Sequence, residues 1–195
     1  GGKRARTPHL DKMATEGMRM TDFYVHPVCG VTRASLLTGS YAMRVAEVGN
    51  RKNGHPILHP KEITIAEVMR VAGYRTGMVG KWHLGEGKQH EPTGFDFWSV
   101  LPGQGEYFDP IMIEMGEEIE VPGYATDIIT DKSLQWLEER DESKPFFLMC
   151  HHKAPHREWE PHPKNRGLYQ EDIKIPSTFD DDYRHRAKAA TEAKM

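Results

Sequence analysis

Phe146-Phe147-Leu148-Met149-Cys150 is an unbroken apolar run, too short for an ordinary helix, with no polar position to mark an outer face. That is the pattern of a strand buried on both faces of a sheet. A helical pattern precedes it: over 125–140, Ile128, Ile129, Leu134 and Leu137 fall on one side. The same order occurs earlier. Thr64 is a good N-cap for a helix carrying Ile65, Val68, Met69 and Ala72 on one face and closed by Gly73, and a short strand follows over Tyr74 to Val79. Helices alternating with apolar strands imply an α/β sandwich with a largely parallel central sheet flanked by helices. The remaining segments predict a helix from Thr7-Pro8 to Gly17, a strand from Met18 to Val25 and a loop over 41–62. Glycine-rich irregular structure is expected over 91–123, with one hairpin near Ile111 to Val121. A polar loop follows from Arg157 to Phe179, and a helix from Asp180.

The 195 residues suffice for one domain with a core. A net charge of −3 excludes a protein built mainly to bind nucleic acid, and no run approaches the ~18 apolar residues of a membrane span. Two cysteines make no disulfide framework. The chain opens without methionine and closes within a helical pattern at Ala193-Lys194-Met195, so it reads as an internal piece of a longer protein.

Chemistry concentrates after two of the strands. In His26-Pro27-Val28-Cys29-Gly30-Val31-Thr32-Arg33, a cysteine stands just before a short helix that Thr32 is placed to cap, with an arginine four residues on. A helix N-terminus offers unpaired N–H groups and the positive end of the dipole to a nucleophile or an anion. A buried structural thiol is the alternative. Lys81 and His83 flank Trp82 and share a side if the segment is extended. A phosphate-binding loop does not fit, because Arg75 replaces its first glycine and Trp82 its Ser/Thr. His151, His152 and His156 raise a zinc site, but only the last two have i, i+4 spacing and Pro155 opposes a helix there. A cysteine-phosphatase loop needs five residues between Cys and Arg, and here there are three. A Cys–His hydrolase stays open, with eleven histidines to choose from.

Cys29-x-x-x-Arg33-Ala34-Ser35-Leu36-Leu37-Thr38-Gly39, Gly80-Lys81-Trp82-His83-Leu84-Gly85 and Ala154-Pro155-His156 occur in that order. Together they resemble the signatures of the type I, formylglycine-dependent sulfatases, of the alkaline-phosphatase-like superfamily. The resemblance implies a partial N-terminal catalytic domain over 1–195, lacking the first strand and the C-terminal part. It implies a sulfuric ester hydrolase acting on a sulfated carbohydrate, of the kind found in glycosaminoglycan amino-sugars. Cys29, oxidised to formylglycine by a maturation enzyme, is the implied nucleophile and a ligand to Ca2+ or Mg2+, whose other ligands lie outside these residues. Arg33 and His83 hold or activate that nucleophile, Lys81 and His156 bind sulfate, and His156 protonates the leaving oxygen. Export to a periplasmic, secreted or lysosomal compartment is implied in the same way. Val31 and Thr32 stand where the family motif has proline or alanine and then serine. They favour a second reading, a catalytically silent sulfatase-like protein that binds sulfated glycans.

Overall fold

The computed structural model describes residues 6–45, 58–172 and 174–192. Two compact units divide the chain, residues 1–159 and 160–195. In the first, the elements run α1 (Pro8–Glu16), α2 (Cys29–Thr38), α3 (Ala42–Val45), α4 (Ile65–Val71), β1 (Arg75–Lys81), β2 (Phe97–Leu101), β3 (Ile111–Glu114), β4 (Glu117–Glu120), α5 (Ala125–Glu139) and β5 (Phe146–His151). The second contains a short helix, α6 (Lys188–Glu192).

The five strands form one sheet in the order β4-β3-β2-β1-β5. β1 lies between two parallel neighbours, with Met78 beside Trp98 of β2 and Met149 of β5. β3 and β4 add an antiparallel hairpin at one side. The sheet is therefore parallel through its centre and mixed overall. Successive residues of β1 point to opposite faces, and each face has its own core. Met78 joins Ala34, Leu37, Ala66, Trp98 and Met149 under α2, α3 and α4. Val79 joins Leu101, Met112, Ile128 and Ile129 under α5. A sheet between two helical layers results, the sandwich that the alternating pattern predicts.

Local signals explain the elements that form as expected. Thr64 and Glu67 make a reciprocal capping box at the start of α4, the Glu67 carboxylate accepting from Thr64 N at 2.8 Å. Gly39, at φ 66°, closes α2 in the left-handed conformation. Other expectations need correction. Met18 to Val25 is not a strand; its aromatic residues meet no sheet, and Tyr24 is 89% exposed. Phe97–Leu101 is a strand inside the stretch expected to be irregular apart from one hairpin, and its Trp98, Val100 and Leu101 are all buried, so no alternation marks it. β5 is an edge strand among the described residues, and Phe146 is 46% exposed rather than buried on both faces. Ala66, with partly buried Ile65, faces the core from α4, while Val68 is exposed; Leu134 of α5 is exposed as well. Thr32 lies inside α2 and caps nothing; its hydroxyl donates to His26 O at 2.9 Å. The loop expected over 41–62 falls in part on 46–57, outside the described residues.

In the second unit, Asp181 and Asp182 take backbone N–H groups of Tyr183 and Arg184 at 2.9 Å. These turns occupy the positions where a helix start was expected, and the helix begins only at Lys188. Among the described residues, no helix is long and apolar enough to cross a membrane.

Candidate active site

Because β1, β2 and β5 run in one direction, their carboxyl ends reach one edge of the sheet. That is where open α/β sheets place ligands. Lys81 is the last residue of β1 and His83 lies just past it; past β2 comes the turn Pro102-Gly103-Gln104-Gly105, and past β5 the segment Lys153 to His156. The first turn of α2 reaches the same edge. Cys29 is its first residue, partly exposed, behind an extended Val28.

Arg33, one turn along α2, ties the helix to the sheet. Its Nη1 donates to Lys81 O and to His151 Nδ1, the latter at 2.9 Å. Burial lowers its guanidinium from the ordinary value, and the nearby Cys29 works in the opposite sense. Lys81 is 3% exposed, and its ammonium donates to Gln104 Oε1. Burial lowers the Lys81 ammonium most; Cys29 opposes the shift, while Arg33 and Lys153 add to it. His83, buried at φ 60°, is not extended, yet it meets the same partner as Lys81. Its Nδ1 faces Gly103 O at 3.0 Å and its Nε2 faces Gln104 Nε2 at 3.2 Å. Buried Lys153 donates to Gln104 O at 3.3 Å and lies 4.5 Å over the Tyr107 ring. Tyr107 in turn donates its hydroxyl to His156 O. The His156 Nδ1 lies 2.6 Å from Arg157 O.

Arg33 and Lys81 thus converge near one thiol at a helix N-terminus, with Lys153 close to Lys81. None of Arg33, Lys81 and Lys153 pairs with a carboxylate among the described residues. Such a site is made for an anion with several oxygens.

A family model described as Sulfatase matches residues 1–191. The chain belongs to the sulfatase family. The sulfatase chain is 44% identical over 202 residues to the N-acetylglucosamine-6-O-sulfatase of Bacteroides thetaiotaomicron, covering 100% of this chain and 34% of that protein. It is 30% identical to arylsulfatase J of Mus musculus, over 80% of this chain and 29% of the relative. Among solved structures, BT4656 in complex with its substrate D-glucosamine-2-N,6-O-disulfate superposes with a TM-score of 0.87 at 40% identity, over 98% of this chain and 38% of that one. The chain spans about a third of the length of these relatives.

Against this family background, the motif residues Arg33 and Lys81 meet around Cys29, and His83 joins them through Gln104. The His156 backbone O accepts from Tyr107, beneath Lys153, while its ring meets Arg157 O. Gln104, Tyr107 and Lys153 carried no local signal that set them apart, and His151 stood out only as one of three clustered histidines; the fold brings all four in. No zinc cluster forms: His151 meets Arg33, His152 Nε2 lies 3.8 Å from Cys150 Sγ, and His156 meets its own neighbour. Among the described residues no three His, Cys, Asp or Glu side chains are grouped to hold a metal ion. Arg33 and Lys81 are the charged neighbours of Cys29 here, and the further oxygen donors that a hard divalent cation needs would come from outside these residues. No step is assigned to a metal.

His151 makes the sulfatase site sensitive to acid. Burial first, and Arg33 second, push its imidazole down from 6.5 to about 4. The unfolded chain binds this proton near pH 6.5 and the folded chain only near pH 4, so stability rises with pH between them. The contribution is complete above pH 6.5 and is lost as pH falls to about 4, in total about 3 kcal/mol. His151→Asn keeps an acceptor for Arg33 but cannot titrate. Denaturant midpoints measured from pH 7 to 4 should fall less steeply for this variant than for the wild type.

Proposed function

We propose that the whole protein hydrolyses a sulfate ester of a carbohydrate, an amino-sugar sulfate by class. The convergence of Arg33 and Lys81 beside Cys29, with Lys153 close to Lys81, carries this reading. The 44% identity to an N-acetylglucosamine-6-O-sulfatase supports the substrate class, as does the likeness to BT4656 with its glucosamine disulfate. Formylglycine formed from Cys29 by a maturation enzyme would supply the oxygen nucleophile. A partly exposed residue opening a ten-residue helix, with cations around it, fits that group.

The chain's own side chains then have distinct tasks. Arg33, Lys81 and Lys153 bind the sulfate oxygens and offset the charge that grows on them. The first-turn N–H groups of α2 face the nucleophile with the positive end of the dipole. His83 keeps one ring nitrogen engaged with Gly103 O, so the other is fixed in direction. His156 delivers a proton to the departing sugar oxygen through Nε2. As in the family generally, we place the protein in an exported compartment, where such substrates occur.

Val31 and Thr32 support a second reading, a silent sulfatase-like protein that binds sulfated glycans. One experiment separates the two. The whole protein, made in a host with the maturation enzyme, is digested with trypsin and the 20–33 peptide is weighed; in parallel, turnover of glucosamine 6-sulfates is assayed. Loss of sulfur with gain of one oxygen, trapped by an aldehyde reagent, together with released sulfate, is the expected result. An intact thiol with glycan binding and no turnover would establish the second reading instead.

A further inference from the structure

Through its side chain and its backbone together, Gln104 touches three of the site's groups. It sits in a turn closed by Gly105 N donating to Pro102 O at 2.9 Å. Glycines at φ 53° and 68° flank it. A Cβ on Gly105 would come within 2.8 Å of Leu101, so the turn is fixed closely against the end of β2. Its Oε1 accepts from Lys81, its Nε2 meets His83 Nε2 at 3.2 Å, and its backbone O accepts from Lys153 at 3.3 Å.

A primary amide has one accepting end and one donating end. An ammonium only donates, so the end facing Lys81 must be the oxygen. The NH2 end then needs an acceptor, and His83 Nε2 supplies one because the ring gives its Nδ1 proton to Gly103 O. Reversing the amide would set NH2 against an ammonium and oxygen against a lone pair, two repulsive contacts in a buried place. The arrangement thus admits a single polarity.

We propose that Gln104 is a positioning residue of this site: its amide fixes Lys81 and the Nδ1-protonated form of His83 together, and its carbonyl fixes Lys153. The inference rests on the sulfatase reading above for the reaction, and on this geometry for the positioning. Gln104 acts through its neighbours and needs no contact with substrate. Nothing in the motif spacing points to it, since it lies 21 residues beyond His83.

The test uses the whole, matured protein, with rates normalised to aldehyde content, and inorganic sulfate as a binding probe by calorimetry. Gln104→Met keeps the length and removes both polar ends. It should weaken sulfate binding and lower kcat/KM by about tenfold to a hundredfold, as when an outer partner orienting a functional group is lost. In a Lys81→Met background the same change should weaken sulfate binding by no more than about twofold, because the sulfate-binding cation that the amide holds is gone and the Gln104 backbone O that holds Lys153 is kept. Gln104→Asn keeps an amide but draws it back by one methylene, and should lose affinity in the same direction if the methionine variant does not fold. Wild-type sulfate affinity and kinetic constants in a folded Gln104 variant would overturn the proposal, whatever the change in Tm. So would full additivity with Lys81→Met. If the wild type binds sulfate but turns over no ester, the sulfatase reading fails while the affinity cycle still decides the role of Gln104.

Discussion

Arg33→Ala should lower kcat/KM of the matured protein by about a hundredfold to a thousandfold, with Arg33→Lys recovering little of the loss. The range is that for removing one charged or polar donor from a site where negative charge develops on oxygen. Arg33 is held from two directions, by Lys81 O and by His151 Nδ1, so its planar fork is fixed before substrate arrives. Lysine keeps the charge but has no rigid plane to divide between the protein and an anion. The variant also leaves two buried acceptors without their donor, at a cost of about 1–3 kcal/mol. The two effects are separable. Midpoints of unfolding report the second, whereas steady-state kinetics well below the unfolding temperature report the first. A variant that lost stability but kept its kcat/KM would remove Arg33 from the oxyanion-binding set.

The motifs that mark the site are short, local and tied to strand ends, and this is why they were legible. Cys29 and Arg33 sit one helical turn apart, while Lys81 ends and His83 follows a strand that the capped helix and Gly73 ahead of it mark off. The alternation of helices and strands led to the sandwich for the same reason: each β1 residue answers to one face or the other, Met78 to one core and Val79 to the second. What stayed hidden depends on contacts between distant residues. Gln104 and Lys153 meet 49 positions apart, and Arg33 meets His151 across 118. β2 escaped notice because its burial erases the polar alternation by which a half-exposed strand is known. Met18 to Val25 misled in the opposite way. Its aromatic and β-branched residues suit a sheet, but strand preference needs neighbours to pack against, and Tyr24 and Phe23 stand in the open.

Gly80→Ala should be the most damaging single change to the fold, costing more than about 3 kcal/mol and leaving little soluble protein. Gly80 belongs to the second motif, ahead of Lys81, yet it touches no substrate in the proposed reaction. Its role is steric. It lies mid-sheet, opposite Val100 on one side and His151 on the other, at φ 105°. A methyl group there would lie 2.0 Å from His151 O and 3.2 Å from the Ile129 side chain. Both the backbone angle and the space exclude it, and the first obstacle is main chain of the adjoining strand, which cannot rotate away. Separating β1 from β5 would also part Lys81 O from the His151 ring, the two acceptors that Arg33 bridges. The stability loss should therefore bring the loss of sulfate affinity with it, in contrast to a surface control such as Gly73→Ala, where a Cβ meets nothing within 4 Å and only the φ of 89° opposes it. Circular dichroism melts and sulfate calorimetry on the two variants check the contrast. A folded Gly80→Ala protein that binds sulfate like the wild type would show that the approach of β1 to β5 is looser than this geometry requires.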